Sequence, residues 1–336
     1  MIIWIKFIIC VLIILFSGRR VAKYGDVIAE KTGLGGLWVG VILISVITSL
    51  PELFTGIGSS TLVNAPDLTI GNLFGANRYN MVNIALLDFL HRGTPLLSVV
   101  SLGQLLTAGL TLIIIAIAAV GIFLSSILPD YDFFNISIYS ILILVAYILS
   151  TRIIFKFERD NKNLAKVEED VFKYKNIPLS KACYLGGIFA ILIAGAGIWL
   201  SYIGLEIARE QGLSQSFVGS ILLGFATTLP EITVSVAALR LGARDMAVAN
   251  LMGSNLFNIF IIFINDALYR KAPIFSSVSP HHIFNALANV IMTAVIIISL
   301  IVKPKRKFIF GLSSYSIILI LLFIVSAIIN FSLGAN

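Results

Sequence analysis

Cysteine, charge and long polar stretches are scarce in this chain. Cys10 and Cys183 are its only two cysteines; they lie in different halves with no metal-ligand spacing around either. No thiolate metal site is expected, and both read as small apolar fillers. Charged residues make up 12% of the 336 positions and hydrophobic ones 58%, with mean hydropathy +1.01. That balance excludes a soluble globular domain and points to a lipid solvent. No small-x-small cleavage pattern is evident near the first apolar run, and its basic cluster (Arg19, Arg20, Lys23) follows rather than precedes it. The run is therefore expected to stay in the mature protein. No nucleophile, general-base or cofactor motif appears, so neither an enzyme nor a bound cofactor is expected.

Apolar runs long enough to cross a hydrocarbon core fall at 2–17, 34–63, 68–90, 99–125, 133–153, 183–205, 213–239, 246–268, 283–302 and 308–330. The expected fold is an all-α integral membrane protein of ten transmembrane helices, since a helix satisfies its own backbone groups in lipid. Of the 24 Lys and Arg, all but Lys6, Arg78, Arg209, Arg270 and Lys271 lie in or beside the odd-numbered connections. By the positive-inside rule both termini are then extracytoplasmic, and the protein sits multi-pass in the cell membrane. The net charge of +7 is mainly this topology signal. Its largest share lies in the 154–180 connection, where basic and acidic residues interleave as in a solvated cytoplasmic linker and not as in a nucleic-acid site.

Two segments 179 residues apart repeat each other: Ile47-Thr48-Ser49-Leu50-Pro51-Glu52 and Ala226-Thr227-Thr228-Leu229-Pro230-Glu231. The duplication extends from Ala29–Gly40 onto Ala208–Gly219, and from Asp67–Asn80 onto Asp245–Asn258 at an offset of 178. It gives two domains, 1–153 and 181–336, joined by the 154–180 linker. An odd number of spans per copy, five, inserts the second upside down: an inverted-topology plan with its site between broken helices.

The chemistry of the duplicated segments follows from proline. Pro51 and Pro230 have no N–H and clash with the preceding turn, which frees the carbonyls of Ile47 and Ala226. On a helix Thr48, Ser49 and Thr55 share a face with Glu52, and Thr227, Thr228 and Ser235 share one with Glu231. A carboxylate at membrane depth is costly and marks an ion or proton pathway. Because all the donors are oxygens, Ca²⁺ or Na⁺ suits them better than Zn²⁺ or Cu ions. In the third and eighth spans Asn72 and Asn80, and Asn250, Ser254 and Asn258, lie on helices thinned by Gly71, Gly75 and Gly253. Their side-chain oxygens can reach the carboxylates, or hydrogen-bond between helices.

Ser49-Leu50-Pro51-Glu52 followed by Gly71-Asn72-x-x-Gly75-x-Asn77-x-x-Asn80, and Thr228-Leu229-Pro230-Glu231 followed by Asn250-x-x-Gly253-Ser254-Asn255-x-x-Asn258, resemble the two alpha-repeats of the cation/Ca²⁺ exchanger superfamily, above all its prokaryotic Na⁺/Ca²⁺ exchanger branch. The resemblance implies an antiporter in which Na⁺ and Ca²⁺ compete for one cluster of sites at the bilayer centre, exposed alternately by sliding of the first and sixth helices. Carried over by position, the metal ligands would be Glu52 and Glu231, Thr48, Ser49, Thr227 and Thr228, the carbonyls near Ile47 and Ala226, and Asn80, Ser254 and Asn258. Three departures from the family's pattern occur, at four positions: Asn258 stands where an acid is frequent, Ala76 where serine is usual, and Ile47 and Ala226 where glycine is usual. With only two acids, fewer Na⁺ are expected to bind together than in a three-acid site. H⁺-coupled cation exchange, and a non-transporting cation-binding or channel-like protein, are the alternatives.

Other polar residues read as structural. Asp67 and Asp245 begin their spans as N-caps. Asp88 and Asp266 each precede an arginine by four residues, as in a surface ion pair. His281 and His282 diverge by about 100° on a helix and are expected at the membrane interface. Arg78 points about 160° away from the ligand face; a packing contact, a snorkelled head and a built-in counter-charge are all open to it.

Overall fold

The computed structural model describes residues 1–32, 37–129, 131–160, 177–308 and 311–334. The chain runs through α1 (Ile2–Lys31), α2 (Leu37–Thr48), α3 (Leu50–Ile57), α4 (Pro66–Leu90), α5 (Gly103–Ile127), a two-residue hairpin of β1 (Asp132–Phe133) and β2 (Ile136–Ser137), and α6 (Ile138–Asp160). The second half continues with α7 (Leu179–Gln211), α8 (Gln215–Phe217), α9 (Gly224–Thr227), α10 (Leu229–Arg240), α11 (Arg244–Leu268), α12 (Ile274–Ser277), α13 (His282–Val302) and α14 (Ser314–Gly334). Single π-helical turns follow α3 at Gly58–Leu62 and precede α9 at Val218–Leu223. Among the described residues the regular structure is helical except for the hairpin, which takes up the start of the run expected at 133–153.

Among the described residues seven helices are long and apolar enough to cross a membrane: α1, α5, α6, α7, α11, α13 and α14. The stretch from α8 to α10, bent by 40° at its break, is an eighth if counted as one span. The other two expected spans have a different character. At 34–63 the helix is interrupted between α2 and α3, and its lead-in at 33–36 lies outside the described residues. At 68–90, α4 is one continuous helix of 25 residues, but it buries Asn72, Asn77, Arg78 and Asn80. The expected limits also move. Where 2–17 was expected, α1 continues to Lys31, because Arg19, Arg20 and Lys23 are good helix formers. Most of the charged linker, 161–176, lies outside the described residues.

The core is built where α4 and α11 cross. On one side of the crossing Ile70, Leu73 and Phe74 pack with Ile259, Ile261, Ile262 and α5. On the other, Met81, Ile84 and Leu87 pack with Ala247, Val248, Leu251 and α13. Between these apolar layers lie Asn77, Asn80, Asn255 and Asn258, all fully buried. The pairing of early α4 residues with late α11 residues runs the two helices antiparallel.

α1 and α7 lie against each other and over the two helix breaks. Gly18 makes this possible on α1, since a methyl there would sit 2.5 Å from Pro230 Cγ. Gly197, 179 residues later, does the same on α7, where a methyl would come within 3.2 Å of the Pro51 carbonyl oxygen. Lys6 and Glu206 form an ion pair (3.3 Å) between the same two helices. Cys10 is buried and donates to the Ala196 carbonyl, whereas Cys183 is exposed and fills no core space.

Four acidic residues tie the ends together in a way their local sequence does not show. Asp67 and Asp245 do not cap their own helices, whose caps are Ala65 and Ala243. Each reaches across to the other repeat instead: Asp67 Oδ1 accepts from the backbone N–H of Ser279 (2.7 Å), and Asp245 Oδ1 from that of Ser101 (2.6 Å). Asp88 and Asp266 are buried rather than surface-paired. Asp88 accepts from the N–H groups of Leu96 and Ser313 (both 2.9 Å), from Tyr315 and Ser316, and meets Lys307 at 3.5 Å. Asp266 accepts from the N–H groups of Ile274 (2.6 Å) and Ser137 (2.8 Å). In each case a carboxylate takes up the unpaired donors of a chain turning back into the bundle.

Candidate cation site

Proline sets the breaks where the sequence places them. α2 ends at Thr48, and Ser49 (φ −86, ψ 11) leads into α3 with Pro51 in its first turn. α9 ends at Thr227, and Thr228 (φ −81, ψ 1) leads into α10 with Pro230 likewise placed. Ile47 and Ala226 fall one turn before the prolines, Ala226 fully buried and Ile47 partly so.

Glu52 and Glu231, one from each break, are both completely buried and within electrostatic reach of each other. Ser49 Oγ donates to Glu231 Oε1 at 3.1 Å, so each half contributes to the other's carboxylate. Glu231 Oε2 and both oxygens of Glu52 have no hydrogen-bond partner among the described residues. Three buried carboxylate oxygens without partners are costly as they stand. They are also the hard, anionic donors that Ca²⁺ and Na⁺ prefer. No group of three or more His, Cys, Asp or Glu able to hold a metal occurs among the described residues. The donor set at the breaks is thus two carboxylates with neutral oxygens.

Those neutral oxygens come in repeat-related pairs. Thr48 Oγ1 lies 3.4 Å from both Asn250 Oδ1 and Ser254 Oγ, and Thr227 Oγ1 donates to Asn72 Oδ1 at 3.1 Å. Asn250 Nδ2 donates to the Glu231 carbonyl (3.2 Å) and to Ser235 Oγ (3.1 Å), which fixes the side chain with its oxygen toward Thr48. Ser254 Oγ also donates to the Ser45 carbonyl at 3.4 Å. Thr228 differs from Ser49: its hydroxyl donates back to the carbonyls of Gly224 (2.8 Å) and Phe225 (3.2 Å), so its proton is engaged within its own helix.

Asn80 and Asn258 are held through a second layer. Asn80 Nδ2 donates to Asn255 Oδ1 and Asn258 Nδ2 to Asn77 Oδ1, both at 3.0 Å, and Asn77 Nδ2 donates to the Asn255 carbonyl at 3.2 Å. These bonds orient both amides and leave Asn80 Oδ1 and Asn258 Oδ1 buried without partners. Asn72, Asn77, Asn250, Asn255 and Ser45 complete the arrangement, although the ligand set carried over by position does not include them. Their duplication at an offset of 178 is the signal that marks the four asparagines; Ser45 has no such signal, because its counterpart is Gly224. Arg78 is buried on the far side, where Nη1 donates to Ser326 Oγ of α14 at 2.8 Å, while Nε and Nη2 have no partner among the described residues. It is a packing contact and does not snorkel.

A multi-pass helical bundle that buries two carboxylates among hydroxyls and amides at paired helix breaks has the architecture of a cation antiporter. Residues 2–156 and 181–332 match the family described as sodium/calcium exchanger protein, and the chain belongs to that family. It is 25% identical over 267 residues to the inner membrane protein YrbG of Escherichia coli, covering 80% of each chain. It is also 25% identical over 299 residues to an uncharacterised membrane protein of Methanocaldococcus jannaschii, covering 88% of each. Its fold is similar to that of the sodium-calcium exchanger NCX_Mj, with a TM-score of 0.60 at 23% identity, over 97% of this chain and 98% of that one.

Proposed function

We propose that this protein exchanges Ca²⁺ for Na⁺ across the cell membrane by alternating access. In this reading the two halves, 1–153 and 181–336, are inverted five-helix repeats, giving ten spans with both termini extracytoplasmic and the site near the bilayer midplane. Glu52 and Glu231 bind Ca²⁺ and Na⁺ in turn, with Thr48, Ser49, Thr227, Ser254 and the amide oxygens of Asn80 and Asn258 completing the coordination. The observation that carries the reading is the pair of buried carboxylates with three partnerless oxygens, the fourth oxygen accepting from Ser49 of the opposite half. A cation balances them, and a cation shared by both repeats couples its release to their rearrangement.

The test is Ca²⁺ uptake into vesicles loaded with Na⁺. Uptake that requires an outward Na⁺ gradient is expected, with loss of at least about 100-fold in Glu52→Gln and in Glu231→Gln, since each removes half the charge opposing a dehydrated divalent ion. Undiminished flux in either variant removes that residue from the site. Asn258 in place of an acid favours a second reading, H⁺-coupled exchange, because two carboxylates suffice to carry protons against one Ca²⁺; uptake driven by a pH gradient without Na⁺ is its signature.

A further inference from the structure

The buried oxygens without partners do not stop at the carboxylates. Both oxygens of Glu52, the hydroxyl of Thr55 and the hydroxyl of Ser59 are fully buried and have no hydrogen-bond partner among the described residues. At positions i, i+3 and i+7 they fall within about 60° of one another, along a single helix face. A helix offers such hydroxyls a partner of its own, the carbonyl one turn back. Ser60 and Thr61 take it, donating to the carbonyls of Gly56 (3.0 Å) and Ile57 (2.5 Å). Thr55 and Ser59 do not. Each leaves a buried polar group uncompensated, which is costly unless water or an ion occupies the line at some stage.

The line has a direction and a cover. It starts at the cation site and ends in the π-helical turn Gly58–Leu62, over which the chain folds back with the Ala65 N–H donating to the Ser59 carbonyl at 2.7 Å. The cover is α7: a methyl at Gly197 would come 3.0 Å from the Thr55 nitrogen, and one at Gly58 would come 2.5 Å from Ser201 Oγ. The second half has no such line. At the repeat offset of 179, Val234 stands for Thr55 and Ala238 for Ser59. The hydroxyl one turn beyond Glu231, that of Ser235, is already bonded to Asn250 Nδ2 at 3.1 Å.

The spacing suits a small cation. Successive positions on the line stand about one turn apart, with Cβ atoms about 5–6 Å from each other, so an ion or water between two of them can reach both. The hydroxyls are neutral, and the charge that balances an ion among them is that of Glu52, one turn away. That favours brief occupation by an ion that has left the carboxylates over residence of an additional one.

We propose that Thr55 and Ser59 form a transit path for the exchanged cation between Glu52 and the membrane face of the Gly58–Leu62 turn, opened when α7 moves off α3 and without a counterpart in the second half. The passage of ions during exchange rests on the transport reading above; access of small cations to the line does not.

The experiment has one arm that needs no transport. Ser59→Cys and its repeat counterpart Ala238→Cys, full-length in detergent, are treated with methanethiosulfonate ethylammonium, a small cationic thiol reagent, and modification is read by mass on the peptide carrying the new cysteine. Ser59→Cys should react at least about tenfold faster, because the reagent reaches it along the path. Equal rates, or a slower Ser59→Cys, overturn the path. In vesicles loaded with Na⁺, Thr55→Val should slow Ca²⁺ uptake at least about tenfold, with Thr55→Ser close to wild type. Ca²⁺ should still raise the melting temperature of both variants as it does that of wild type, since the carboxylates that bind it are intact. Undiminished uptake in Thr55→Val overturns the path. Loss of the Ca²⁺-induced stabilisation together with uptake overturns it as well, by making Thr55 a ligand of the resident ion. Absence of uptake in wild type defeats the transport reading, and the reactivity of the two cysteines then decides the path alone.

Discussion

Arg78 is a costly side chain as it stands: fully buried, bonded once to Ser326, with two guanidinium nitrogens unpartnered among the described residues. A buried charge without a counter-ion is commonly replaceable by an apolar group of similar volume at no loss of stability, or with a gain. Arg78→Met is therefore expected to leave the thermal stability in detergent unchanged or raise it by about 1 kcal/mol. A loss of about 3 kcal/mol or more would show that the guanidinium has an acceptor that matters. The carboxylates at the ends carry the opposite expectation. Asp88 satisfies two backbone N–H groups and two hydroxyls at once, so Asp88→Ala strands several buried donors and should cost about 3 kcal/mol or more. Both residues show the limit of local reading. Asp88 has an arginine four positions on, and helical spacing suggests a surface pair, but its partners come from the connection after α4 and from beyond α13. The neighbouring His281 likewise suggests an interfacial place for His282, whereas His282 is buried with Nε2 3.0 Å from Asp67, 215 residues away.

At the scale of elements, α1 and α7 are two long helices that each press on one break, α1 on Pro230 at Gly18 and α7 on the Pro51 carbonyl at Gly197. A side chain at Gly18 meets Pro230, a rigid ring in the helix break, which cannot turn aside as a flexible side chain would. Gly18→Ala should destabilise by roughly 1–3 kcal/mol and slow exchange together, because it pushes α1 off the segment that carries Glu231. Gly187→Ala and Gly195→Ala on α7, where a methyl meets nothing within 4 Å, serve as controls with stability unchanged or slightly raised. Thermal unfolding and vesicle uptake on the same preparations separate the two groups; equal behaviour of Gly18→Ala and the controls would show that this close approach is dispensable. The breaks themselves were legible from Pro51 and Pro230, since proline acts through its own covalent geometry. The asparagine layer was legible as a motif but not as an arrangement: Asn77 and Asn255 bond to each other's repeat, and no spacing within one helix shows which amide turns toward the carboxylates.

For the whole molecule the decisive quantity is the charge the site can hold. Among the residues at the breaks only Glu52 and Glu231 are acidic; Asn80 and Asn258, repeat-related, are neutral and are turned by the Asn77–Asn255 layer so that each exposes an oxygen. One Ca²⁺ balances the two carboxylates. Each Na⁺ beyond the second would be an uncompensated charge among fully buried residues, which costs several kcal/mol, so Na⁺ should compete for the site with a Hill coefficient of about 2. Exchange should then be close to electroneutral, insensitive to a K⁺ diffusion potential imposed with valinomycin. Asn258→Asp adds the third negative charge while preserving shape, and should raise the Na⁺ Hill coefficient and make uptake voltage-dependent. A wild-type protein whose uptake is already accelerated by an inside-positive or inside-negative potential would contradict this account, because the extra charge would need an anionic partner that the neutral amides of Asn80 and Asn258 do not supply.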